Sequence, residues 1–156
     1  MPRDAEPPDP YLYGLVALGR RELTERQLRE RLRRRHCDPA AIDAAIVRLT
    51  DARVLDDVRA ARAFARTEAQ VKRRGPLRIL RALETMGVDT DLAREATAGG
   101  YEQRSVGDAL EAALDRRLRG PIVDRPHAQR LIAYLVRQGF EVGAAVAAVT
   151  KRRTAT

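Results

Sequence analysis

The chain has 156 residues, room for one ordinary domain or a short array of repeats. An apolar fraction of 44 % is too high for a disordered chain, and aromatics at 4 % with no Trp suit small helices better than a sheet. The net charge of +8, from 30 basic and 22 acidic residues, predicts attraction to nucleic acid, an anionic membrane or an acidic protein.

Cys37 is alone, which excludes a disulfide framework and a cysteine-based zinc site. No uninterrupted apolar run approaches the roughly 18 residues of a membrane helix, so a soluble, cytoplasmic monomer is expected. Residues 1–10, "MPRDAEPPDP", are Pro-rich and acidic, lack the apolar run of a secretory signal, and read as a disordered lead.

From Tyr11, "YLYGLVALGRREL" places Tyr11, Leu15 and Leu18 along one side of a short helix. Thr24 caps a strongly basic second helix, "ERQLRERLRRRHC", in which only Leu28 and Leu32 suit a core. Asp38-Pro39 is a cap followed by a first-turn proline and opens a third helix, with Ile42, Ile46 and Leu49 on one stripe.

Asp56 caps the next helix, "LDDVRAARAFARTEAQVKRR", which Gly75-Pro76 breaks. "PLRILRALETMG" follows with Ile79 and Leu83 spaced by four, and Gly87 stops it. A short helix capped by Asp89 then runs to Gly99-Gly100. The last third repeats the pattern: "YEQRSVGDALEAALDRRLRG" with Leu110, Ala113 and Leu114 on one side, a break at Gly120-Pro121, then "PHAQRLIAYLVRQGF" and "EVGAAVAAVTKR".

The expected fold class is therefore all-α, with three tandem three-helix repeats about 50 residues apart stacked into an elongated array. The repeats are residues 11–55, 56–100 and 101–152, and residues 153–156 form a disordered tail. The register supports the repeat. Leu28 and Leu32 with His36-Cys37 fall opposite Ile79 and Leu83 with Gly87-Val88, and opposite Leu131 and Leu135 with Gly139-Phe140.

No repeat alone is strongly basic, but within the repeats charge is segregated onto the middle helices and their approaches. With the apolar pairs turned inward at about 100° per residue, Arg26, Arg33, Arg34, Arg78, Arg81, Arg130 and Arg137 fall on the far faces. Arg29 adds to the first helix, and Lys72, Arg73 and Arg74 lead into the second. Solvation explains any single such helix. Three equivalent ones, with acidic residues sent elsewhere, point to a continuous basic binding stripe made of these eleven residues.

Catalytic and metal sites are not expected. His36 and His127 lie in different repeats, His36-Cys37 has no second ligand pair at suitable spacing, and Asp56-Asp57 fits a helix start better than a chelate. Phosphate-cradling loops and nucleophile elbows are missing, so no cofactor is expected. The four tyrosines are too scattered for a base-stacking platform.

Residues Arg53 to Asp89 resemble the RecX family of bacterial recombination regulators, on Leu55-Asp56-Asp57, Arg59, Phe64, Gly75-Pro76, Arg78-Ile79, Leu83 and Gly87-Val88. The flanks "LTERQLRERLRRRHCDPAAIDAAIVRL" and "AQRLIAYLVRQGFEVGAAVAAV" are similar to the family's first and last units, so the resemblance spans roughly residues 11 to 150. Ala60 departs from a frequent Phe, His36-Cys37 from the usual Gly-plus-apolar stop, and the last helix is unusually Ala-rich. The resemblance implies a curved array without enzyme activity that binds the RecA recombinase, chiefly its filament on single-stranded DNA. It further implies seating in the filament groove, limited filament growth, and depressed ATP hydrolysis and strand exchange. The competing reading is a plain DNA-binding helical module. Its outward residues are nearly all Arg, which suits sequence-independent backbone contact rather than base readout.

Overall fold

The computed structural model describes residues 6–155. Among them are nine α-helices: α1 (Pro10–Arg20), α2 (Glu25–Arg34), α3 (Pro39–Asp51), α4 (Asp57–Arg66), α5 (Pro76–Thr85), α6 (Thr90–Gly99), α7 (Val106–Arg117), α8 (Arg125–Arg137) and α9 (Val142–Thr154). They form an all-α helical repeat array, and each helix finds its main packing partners inside its own consecutive triplet. No described helix is long and apolar enough to cross a membrane.

Local chemistry sets the boundaries. Asp9, Thr24, Asp38, Asp56, Asp89, Ser105, Asp124 and Glu141 each accept a backbone N–H of the helix they open. Thr24 also forms a capping box, since Gln27 Oε1 accepts the Thr24 N–H at 3.1 Å. Two expected ends are corrected. Asp9 starts α1 at Pro10 rather than Tyr11, and α9 continues through Thr154 into the expected tail. The rest of the lead, residues 1–5, and residue 156 lie outside the described residues.

Each triplet closes its own core. Leu23, Leu28, Leu32 and Leu49 are fully buried in the first, Ile79 and Leu83 in the second, Leu114, Leu135 and Phe140 in the third. A side chain of this size contributes roughly 1.5–3 kcal/mol when buried. The second core is otherwise mostly alanine (Ala61, Ala65, Ala69, Ala93, Ala96), so α4 and α6 approach closely.

The long helix expected from Asp56 to Arg74 is interrupted. α4 ends at Arg66 and a π-helical turn, Thr67–Val71, follows it. That turn carries Glu68 inward and places Gln70 Nε2 on the Gly100 carbonyl at 2.6 Å. Tyr101, expected inside the seventh helix, precedes it in a turn and packs between the second and third cores. Its hydroxyl donates to the Arg74 carbonyl, and burial pushes the phenol well above its ordinary value. Because the folded state favours the neutral phenol, this contribution is full below the unfolded value of about 10 and falls as pH rises past it. Tyr101→Phe is expected to cost about 1 kcal/mol at neutral pH. It should also flatten the alkaline loss of stability, which urea unfolding on either side of the phenol range would measure.

Successive triplets meet at two joints built alike. At the first, Thr24 Oγ1 at the start of α2 donates to the Met86 carbonyl at the end of α5 at 2.6 Å. Gly87, at φ +86°, leaves room for the Arg26 side chain, whose Cβ and Cδ would lie 2.7 Å from any added Cβ. At the second, the Gly75 and Leu77 N–H groups opening α5 donate to the Gln138 and Gly139 carbonyls ending α8, at 2.8 and 3.1 Å. In both cases the middle helix of one unit begins on the last turn of the next unit's middle helix.

Candidate partner and nucleic-acid interface

The eleven basic residues read from the sequence divide by what they touch. Three are occupied inside the fold. Arg29 donates to Asp43 at 2.5 Å and Glu25 at 2.7 Å, and those two carboxylates hold its guanidinium above its ordinary pKa. Lys72 and Arg74 converge on Glu68, 2.6 and 2.7 Å from its two carboxylate oxygens, while Glu68 itself is only 2 % exposed.

Two more belong to joints. Arg26 lies across Gly87, with a weak 3.7 Å approach to Glu30 at exposed positions. Arg78 was expected to face outward. Instead its stem wedges against Gly139 and its Nη1 donates to the Arg137 carbonyl at 3.2 Å, because the start of α5 is where the third triplet docks.

The remaining six form no ion pair among the described residues: Arg33, Arg34, Arg73, Arg81, Arg130 and Arg137. All but the half-buried Arg73 are exposed. Arg130 and Arg137 meet Arg117, Arg119 and His127 around a cleft of about 380 Å³ between α7 and α8, and no carboxylate lines it. Arg117 also lies over the Tyr134 ring, 5.7 Å from its centroid. Arg117 and Arg119 lie outside the eleven basic residues read from the sequence, which include the α8 arginines alone from this repeat. The apolar face of α7, Leu110 and Leu114, was the available signal, since it turns the following Arg117 toward α8. Such a cleft suits phosphate oxygens, which guanidinium groups bind bidentately.

The other charged motifs are structural. Asp56 caps α4, and the half-buried Asp57 accepts the Glu25 N–H at 2.8 Å, tying the first triplet to the second. Arg59 completes that tie, donating to Glu22 at 2.6 Å and to the Arg53 and Val54 carbonyls at 3.2 and 2.9 Å. Cys37 is buried, which pushes its thiol up, and its Sγ donates to the Pro8 carbonyl.

Fold and surface together define a class: a helical-repeat protein that presents arginine on the linked middle helices of successive units. Two family descriptions match in tandem, "RecX, first three-helix domain" over residues 11–49 and "RecX, second three-helix domain" over residues 56–96. Regulatory protein RecX of Xanthomonas axonopodis pv. citri is 37 % identical over 147 residues, covering 91 % of this chain and 86 % of the relative. That of Prosthecochloris aestuarii is 33 % identical over 127 residues, covering 80 % of each. The crystal structure of RecX from Lactobacillus salivarius shares the fold with a TM-score of 0.71 at 19 % identity, over 93 % of this chain and 95 % of that one. The chain belongs to the RecX family of regulatory proteins.

Membership gives the motif residues a physical meaning. Of the residues that carry the resemblance, Asp57, Arg59, Gly75, Arg78 and Gly87 are joint residues, while Leu55, Ile79, Leu83 and Val88 are buried in the cores.

Proposed function

We propose that this protein is a mainly negative regulator of the RecA recombinase, binding the RecA filament on single-stranded DNA as a cytoplasmic monomer without chemistry of its own. The observation that carries the reading is the set of arginines left unpaired on the middle helices, gathered most densely in the α7–α8 cleft. An array of linked units can follow a filament groove, and arginine can meet DNA phosphate and acidic protein surface alike. Contact of this kind is sequence-independent. Neutralising about six phosphates of single-stranded DNA gives a slope of log K against log salt of roughly −4.

The test is DNA-dependent ATP hydrolysis by the recombinase of the same organism, titrated with this protein at moderate salt. The control changes Arg33, Arg34, Arg81, Arg119, Arg130 and Arg137 to Glu and leaves Arg78 in place, because its stem holds a joint. Inhibition well below one protein per recombinase, lost at least tenfold in the control, is the expected result. Salt-sensitive DNA binding without inhibition would instead assign a plain DNA-binding module.

A further inference from the structure

We infer that the last turn of α2, Arg34 to Cys37, is a docking site for the acidic start of a helix on a partner protein. The three middle helices end in the same turn. Cys37, Val88 and Phe140 each return their N–H to the carbonyl five residues earlier, on Leu32, Leu83 and Leu135, at 3.1 to 3.2 Å. His36, Gly87 and Gly139 each donate to the carbonyl three residues earlier and hold a positive φ of 58°, 86° and 99°. The residues that follow, Cys37, Val88 and Phe140, are all buried.

In two of these turns the outward carbonyls are taken by an arriving helix start. Thr24 donates to Met86, and Gly75 and Leu77 donate to Gln138 and Gly139. At the third turn, at the end of α2, no described helix start arrives. Among the described residues nothing donates to the carbonyls of Arg35 or His36. The receiving half of the joint is thus built a third time and stands open among the described residues, with Pro8 at its rim, where the carbonyl accepts from Cys37.

Charge selects the occupant. Arg31, Arg33, Arg34 and Arg35 form no ion pair among the described residues, whereas the turn closing α5 follows Glu84-Thr85 and that closing α8 follows Val136-Arg137. A helix start brings N–H donors and the positive end of its dipole to the open carbonyls, and acidic residues favoured in its first turn face the arginines. A second copy of this chain is rejected. Its α8 start carries Arg125, with Arg119 and Arg130 nearby, and the Asp124 carboxylate there already accepts the His127 N–H at 2.7 Å, so head-to-tail growth meets mainly like charge. His36 adds a size limit. Its Cβ occupies the position where Gly87 and Gly139, lacking one, admit arginine stems, so the arriving residue at that point must be small.

The test uses the ¹⁵N-labelled full chain and a stapled helical peptide opening Ser-Ala-Glu-Glu, whose fixed helix removes the ordering cost. A matched peptide opens Ser-Ala-Lys-Lys. Saturable amide shifts confined to Arg34 through Asp38 are expected with the acidic peptide, at least tenfold weaker with the basic one. The Arg33→Glu/Arg34→Glu double variant, which leaves Arg35 over the Tyr13 ring, should lose them while its other amides, the internal check on folding, stay in place. No shift at millimolar peptide, equal shifts from both peptides, or shifts spread along α5 and α8 would overturn the assignment. No recombinase enters this experiment, so its outcome is independent of the filament reading.

Discussion

Gly139→Ala lowers stability by about 3 kcal/mol and loosens the third triplet from the second, whereas Gly120→Ala costs only about 1 kcal/mol. Both glycines have positive φ, +99° and +86°, so both pay the same backbone penalty on gaining a side chain. They differ in surroundings. A Cβ at Gly120 meets no heavy atom within 4 Å, while one at Gly139 would lie 2.4 Å from Arg78 Cβ, 2.5 Å from Arg78 N and 2.9 Å from the Gly75 carbonyl oxygen. Those neighbours include backbone on a helix start and cannot swing aside. The units must separate, and the Gly75 and Leu77 hydrogen bonds go with them, each worth about 1 kcal/mol. Urea unfolding of the two variants gives the difference. Hydrogen exchange at Gly75 and Leu77 locates it, and exchange no faster there than in the Gly120 variant would refute the joint's role.

Glu68→Gln is expected to move stability and DNA affinity in opposite directions. The Glu68 carboxylate sits inside the π-helical turn, held by Lys72 and Arg74 at 2.6 and 2.7 Å. Removing one partner of a buried pair usually costs about 3–5 kcal/mol, because a charge is left stranded. Here the two cations are half and one-third exposed and can turn to water, so about 2 kcal/mol is the expected loss. Water is where a phosphate would find them. Under the filament reading, two released cations steepen the salt dependence of single-stranded DNA binding by roughly 1.4 in log–log slope and raise affinity at low salt. Fluorescence anisotropy across a salt series measures this beside urea unfolding. An unchanged slope would mean that Lys72 and Arg74 never reach DNA, paired or free.

What could be read in advance follows the range of the forces involved. Thr24, Asp38, Asp56 and Asp89 were legible as helix starts because a cap bonds two or three residues ahead. The apolar pairs of the middle helices were legible because burial follows the helical period. The π-helical turn was not, since one extra residue in an alanine-rich helix leaves no local mark. Long-range pairing also escaped: Arg29 finds Asp43 on the next helix, and Arg78 finds a glycine of the following repeat. The basic face was therefore visible as charge, but which arginines stand free was decided by folding. His36 looked like a departure from the pattern. The fold shows that glycine is needed in that turn only where another unit presses on it.

The separation of the cores has a mechanical consequence. Three small bodies, each closed around its own buried leucines, isoleucines or phenylalanine, are fastened at the ends of their middle helices, with the Asp57 and Arg59 ties at one fastening and Tyr101 at the other. Opening a fastening breaks hydrogen bonds and, at the second, frees Tyr101, while the three buried clusters stay closed; opening a body exposes all of its core. Under bending or tension the molecule yields at its two fastenings long before any body melts, behaving as a short jointed rod. Such a rod can follow a helical track whose pitch changes underfoot, because its compliance is confined to two places and its gripping surfaces stay rigid between them.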